Sequence, residues 1–168
     1  MKSIAAIALI PLTLCAANDG TPSKSGGEFN KRWNNARQLT IAVAEAMPPA
    51  QYAFRPDPGS MSFGEQLIHI AQANYAFGYG LKDSKTPALP TPDGKEAIVK
   101  FLGDSFDYLS TVIANLTDDQ LGQVHPSPDG RLIGRDILLA IYGHMAHHRG
   151  QAEVYLRIKG IAPPSYIF

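Results

Sequence analysis

The chain has 168 residues, enough for one domain with a proper core and too few for two well-built ones. Its 15 basic and 15 acidic side chains cancel, which removes the electrostatic case for a nucleic-acid partner, since that needs a basic patch or stripe. No run of like charges marks a tail or a membrane-surface helix.

The first stretch, "MKSIAAIALIPLTLCAAND", has a basic start at Lys2, an apolar run from Ile4 to Leu14, and the small residues Cys15, Ala16 and Ala17. That is the layout of a secretory signal over residues 1–17, so the protein is expected to be exported, either periplasmic or secreted. The apolar run is too short to be a stable membrane span. "LTLC" also resembles a lipoprotein cleavage box, although Leu14 is bulkier than the small residue expected there; anchoring at Cys15 is the alternative. No other cysteine exists, so the mature domain has no disulfide. Residues 18–27, "NDGTPSKSGG", read as a flexible leader, and 28–168 as the folded domain.

From Glu28 the residues Phe29, Trp33, Ala36, Thr40, Val43 and Met47 recur at helical steps, until Pro48 and Pro49 stop the helix. "QYAFRPDPGS" is a loop, and Ser60 or Ser62 can cap a second helix over 62–81. The Pro-rich "KDSKTPALPTPDG" leads to a third helix over 92–116, with Ile98, Leu102, Leu109, Val112 and Leu116 on one side. "TDDQLGQVHPSPDGR" reads as a turn and a loop, with Thr117 and Gln120 spaced like a capping box. A fourth helix over 132–159 is closed by Gly160 and then by Pro163 and Pro164. No run alternates with a two-residue period, so no strand is expected. Four helices of about 20 to 28 residues, each with an apolar stripe, predict an all-α four-helix bundle. The loops after the second and third helices exceed what a helix hairpin needs, which leaves room for crossover connections.

Within "GHMAHHRGQ" (143–151), helical geometry sorts the histidines. With about 100° per residue and His144 at zero, His148 lies near 40°, Ile137 and Tyr155 near 20°, Gln151 near −20° and Ile141 near 60°. His144 and His148 are therefore central to the apolar stripe, while His147 falls on its border. Arg149, Glu153 and Arg157 occupy the opposite face, spaced like a solvated ion-pair ladder. A buried imidazole needs a partner. The pair can converge on one divalent cation, or it can be hydrogen-bonded within the core. His69, on the second helix, shares its face with Ser62, Glu65, Ala73, Ala76 and Gly80. It is either solvent-facing or the wall of an open cavity. His125, in the "VHPSP" loop, is expected to be solvated.

Three segments now carry a resemblance: "FNKRWNNARQLTIAVAEAMPPAQYAFRP", "RPDPGSMSFGEQLIHIAQANY" and "HMAHHRGQAEVYLRIKG". In them, and across about 28–162, the chain resembles the DinB/YfiT family of four-helix-bundle metalloenzymes. The signal-like leader is not part of that pattern. The resemblance implies a divalent metal held by His69, His144 and His148, and a homodimer. Three neutral imidazoles leave coordination positions open, as catalytic sites do. Zinc is the default for such a set, and nickel, iron and manganese also fit it.

Relatives of this kind are thiol-dependent transferases and isomerases, in which the metal activates a low-molecular-weight thiol. An exported protein lacks an obvious thiol supply, so hydrolysis of a small-molecule substrate is the other enzymatic reading. Glu65, one turn before His69, is the candidate to orient a ligand or accept a proton, unless it is merely solvated. An exported metal- or ligand-binding module without turnover and a purely structural bundle complete the set. No G-x-S-x-G, no P-loop and no Gly-rich turn after a strand supports serine-nucleophile, nucleotide or dinucleotide chemistry.

Overall fold

The computed structural model describes residues 20–128 and 130–166. The expected signal segment, 1–17, and Cys15 lie outside the described residues. Among the described residues, no helix is long and apolar enough to cross a membrane.

Four long helices build the bundle: α1 (Lys24–Ala46), α2 (Phe63–Leu81), α3 (Lys95–Ala114) and α5 (Gly134–Ile158). A 3-10 turn (Pro49–Gln51) follows α1, and a short α4 (Asp118–Gly122) precedes the hairpin of β1 (Val124–Ser127) and β2 (Gly130–Ile133). Each end has a local cause. α1 begins inside the stretch that composition reads as a leader, because the Ser23 hydroxyl accepts from the Gly26 N–H at 3.3 Å and caps it. The Ser23 N–H also donates to the Leu116 carbonyl at 2.7 Å, which ties this start to the end of α3.

α2 opens on a capping box: the Ser62 hydroxyl accepts from the Glu65 N–H at 3.2 Å, and Glu65 Oε2 accepts from the Ser62 N–H at 2.6 Å. α3 starts at Lys95 rather than 92, since Gly94 at φ +78° breaks the chain direction there. Thr117 and Gln120 do form a capping box, and it nucleates α4. At the other end, Gly160 at φ +74° closes α5: the Ile161 N–H reaches the Leu156 carbonyl and the Gly160 N–H reaches that of Arg157.

The hairpin corrects the expectation of no strand. β1 and β2 pair antiparallel, Val124 with Ile133 and Ser127 with Gly130. Four-residue strands, one containing Pro126, are too short to show a two-residue period. The hairpin lies so close against α2 that a Cβ at Gly80 would collide with the Pro126 carbonyl oxygen.

Both α1 and α2 pack against α3 and α5, so the order around the bundle is α1, α3, α2, α5. Consecutive helices α1 and α2 thus sit on a diagonal, and so do α3 and α5. The crossover expected after the third helix is present. The long connection after α2 instead joins neighbours, and the shorter one after α1 crosses: loop length does not report which pair is diagonal. Trp33, Phe63, Leu67, Leu102, Phe106 and Ile137 are fully buried between the helices, each contributing about 1.5–3 kcal/mol by leaving water.

Candidate metal centre

α2 and α5 pack side by side, and their facing sides bring three histidines together. His69 comes from α2, and His144 and His148 come from successive turns of α5. One nitrogen from each lies within 4.8 Å of the others. Nε2 of His69 and Nε2 of His144 are 3.1 Å apart. Two imidazole ligands on one tetrahedral zinc, at bonds of about 2.05 Å, would hold their nitrogens about 3.3 Å apart. The donor set and its spacing fit a divalent cation.

His148 is oriented by its neighbours. Its Nδ1 lies 2.6 Å from Gln66 Oε1, an oxygen that only accepts, so Nδ1 carries the hydrogen and the lone pair sits on Nε2. The rest of the network fixes that amide. Gln66 Nε2 donates to Gln151 Oε1 at 2.6 Å and to the Tyr155 hydroxyl at 3.2 Å. Tyr155 passes its own hydrogen to the Met61 carbonyl at 3.0 Å. Gln66 is buried, so a chain with one consistent direction runs from Met61 through Tyr155 and Gln66 to His148.

Burial pushes the His148 imidazole down to about 4, and the neighbouring imidazoles of His144, His69 and His147 add to the shift. It is therefore neutral at ordinary pH, the form that binds metal. His147 is exposed and receives a hydrogen bond from Gln151 Nε2 at 2.7 Å, at the border position expected for it.

The three histidines line a cavity of about 490 Å³ with Gln72, Ala73, Ala76, Phe77 and Pro128. His69 is thus a cavity wall, with the small residues of its face leaving the room. Glu65 is not brought to this cavity. Its Oε1 binds Arg55 at 2.6 Å and its Oε2 the Ser62 N–H, and it borders a separate cavity with Arg55 and Tyr52. The Ser62 hydrogen bond first, and then Arg55, hold its carboxyl below the usual range.

Two expectations fail. His125 is not solvated: it is 1% exposed, with Nδ1 3.2 Å from both Asp83 oxygens and Nε2 2.7 Å from the Gln120 carbonyl. It sits on β1, and the hairpin lies close against α2. Arg149 is not on a wet face either. It is 6% exposed, beside Met145 Sδ and Glu153, with the Tyr166 ring of the C-terminal tail 5.6 Å away. Periodicity within one helix cannot see contacts such as this one, made by residues distant in sequence. Gln66, Gln151 and Tyr155 went unassigned in function, although polar groups on an apolar helix face were the available signal.

A family model described as the DinB superfamily matches residues 32–152, which include all three histidines. Among curated proteins, the uncharacterized protein YjoA of Bacillus subtilis strain 168 is 27% identical over 129 residues, 74% of this chain and 84% of that protein. The crystal structure of YjoA matches with a TM-score of 0.70 at 22% identity, covering 83% of this chain and 97% of its own. A DinB-like protein from Bacillus cereus ATCC 10987 matches with a TM-score of 0.72 at 19% identity, covering 84% and 97%. YfiT from Bacillus subtilis, described as a probable metal-dependent hydrolase with an unusual four-helix bundle topology, matches at 0.65 and 17% identity, covering 84% and 92%. At such identities the structural likenesses establish the fold alone.

Proposed function

The chain belongs to the DinB superfamily, and from that premise we propose that it is a metal-dependent enzyme whose His69, His144 and His148 hold a divalent ion beside a small-molecule cavity. The observation that carries this reading is the 3.1 Å approach of the His69 and His144 Nε2 atoms, with the His148 nitrogen close by. One bound cation would satisfy all three lone pairs.

When bound, a divalent metal supplies Lewis acidity and makes a coordinated water or thiol acidic enough to react near neutral pH. The chain's own residues do the rest. Gln66 holds the His148 ring in its ligand tautomer. Gln151 and Tyr155 hold the Gln66 amide. Ala73, Ala76, Phe77 and Pro128 form the apolar walls against which a substrate would seat. Hydrolysis is the reaction class proposed first, supported by the description of YfiT and by the signal-like Lys2 and Ile4–Leu14 segment, which favours a compartment poor in thiols. Transfer to a small thiol is second. Export, a homodimer and zinc as the resident metal belong to the same proposal.

The test begins with elemental analysis of protein purified from its native compartment, followed by uptake of zinc, nickel, iron(II) and manganese(II) by metal-free protein. About one ion per chain is expected, with uptake lost in His144→Ala. Protein that purifies without metal, and a His144→Ala variant that takes up zinc like the wild type, would overturn the reading. Ester and amide substrates, with and without added thiol, then separate hydrolase from transferase. Turnover absent in every case, with the metal bound, would leave a binding module.

A further inference from the structure

Helix α5 turns two of its histidines inward and carries a second ordered row of residues on its outer side. With His144 at zero and about 100° per residue, Ile137, His148 and Tyr155 lie between about 20° and 40°. Asp136 and Val154 lie at about −80°, Gly143 at about −100°, Gly150 at about −120°, and Leu139 and Arg157 at about −140°. Leu139 is 71% exposed and Val154 50%, and Asp136, Gly143 and Arg157 are exposed beside them. Gly143, His147, Gly150, Val154 and Arg157 follow one another at alternating steps of four and three residues. That is the repeat with which one helix packs along another.

The row is complementary to itself. Laid antiparallel on a second copy, about a point between Ala146 and His147, it sets Leu139 opposite Val154, Gly143 opposite Gly150, and Asp136 opposite Arg157. Each pairing occurs twice, as a two-fold axis requires. Apolar meets apolar and acid meets base. A pairing displaced by one helical turn would set Asp136 opposite Glu153 in one direction, and opposite Ile161, past the helix end, in the other.

The glycines allow the two backbones to come close. A Cβ at Gly143 or at Gly150 would meet nothing within 4 Å, so the fold itself has room for a side chain at both. A glycine inside a helix is less stable than an alanine there. At the middle of the row, however, it lowers the helix surface and shortens the distance at which a second helix can pack.

We propose that α5 is the face on which two copies of this chain dimerise, antiparallel and in the register that joins Asp136 to Arg157 of the second copy. The inference rests on the homodimer of the reading above and names its surface. The same contact encloses His147, which accepts from Gln151 Nε2 at the outer end of the hydrogen-bond network around His148.

Sedimentation equilibrium of the purified protein over a range of concentrations tests this, with the fold of each variant checked by circular dichroism. Asp136→Arg and Arg157→Asp are each expected to raise the dimer dissociation constant at least tenfold, since each sets like charges together twice. The double variant, Asp136→Arg with Arg157→Asp, is expected to recover most of that loss. Along one helix the two residues stand about 32 Å apart, at about 1.5 Å per residue, so such a rescue can arise only between chains. Leu139→Glu is expected to weaken the dimer as well. Gly143→Gln is expected to weaken it while raising the melting temperature of the monomer, a combination that a glycine with a purely local role would not give.

A dimer that these substitutions leave intact overturns the inference, and the homodimer then stands on another face. Single charge reversals that weaken the dimer without rescue in the double variant overturn it too. Protein that stays monomeric at every concentration removes the homodimer and this inference together. The metal site is read separately, by zinc uptake, and survives either result.

Discussion

His125 and the trio of His69, His144 and His148 are both histidine settings inside the bundle, and they differ in what their nitrogens face. The two ring nitrogens of His125 face oxygens supplied by the fold, the Asp83 carboxylate and the Gln120 carbonyl. In the trio, the Nε2 atoms of His69 and His144 face each other. One proton can bridge one such pair, while one cation serves all three rings. His125 is held by oxygens of the protein itself, whereas one nitrogen from each of His69, His144 and His148 is brought within metal-ligating reach of the other two. The contrast could not be drawn from burial alone, which favours His125 as the more enclosed residue.

The largest expected effect breaks the comparison if it fails. His144→Ala or His148→Ala should lower zinc affinity by more than the roughly 10–100-fold that loss of a supporting residue costs. His125→Ala should leave it unchanged. A competition titration against a chromophoric chelator reads both, and equal losses in the two classes would erase the distinction. Next in size is Gln66→Leu, which removes the acceptor that sets the His148 tautomer; a loss of about 10–100-fold is expected. Unchanged affinity would mean that packing alone orients the ring.

His125→Ala removes the imidazole's hydrogen bond to the Gln120 carbonyl, which keeps the Gln123 N–H as a donor, at a cost of about 0.5–1.5 kcal/mol in urea unfolding. Metal binding by the folded protein should not follow that loss. If affinity and stability fall together, the hairpin that carries His125, and Pro128 in the cavity wall beyond it, would be energetically continuous with the metal centre.

Much of this contrast was readable in the chain. The stripe of α5 placed His144 and His148 inward and His147 at the edge because a helix of 25 residues has a well-defined period. His69 was readable only as an alternative, since a small-residue face looks the same against solvent and against a cavity. Periodicity puts neither His125 nor Arg149 inside, because neighbours of each come from elsewhere in the chain: a short hairpin in one case, the Tyr166 ring among others in the other. The ring order of the helices was also hidden, because an amphipathic stripe says that a face is buried and not by which helix.

The smallest expected effect concerns Glu65, whose neighbourhood to His69 in sequence suggests chemistry and whose contacts describe a cap. Its carboxyl is held below the ordinary value by the Ser62 N–H and then by Arg55. A depressed carboxyl contributes stability that is present above the unfolded value of 4.5 and lost as pH falls through the folded one. Glu65→Gln keeps an acceptor for the Ser62 N–H, as capping boxes allow, and removes the charge. Because the pair with Arg55 is solvent-exposed, the wild type should exceed this variant by no more than about 1 kcal/mol at pH 7. That gap should close below pH 4.5, and zinc uptake should be unaffected. A variant of wild-type stability that loses turnover or metal at pH 7 would reverse the assignment. Glu65 would then act on the histidines despite bordering a different cavity, and the centre would need a carboxylate that the His69–His144–His148 set does not contain.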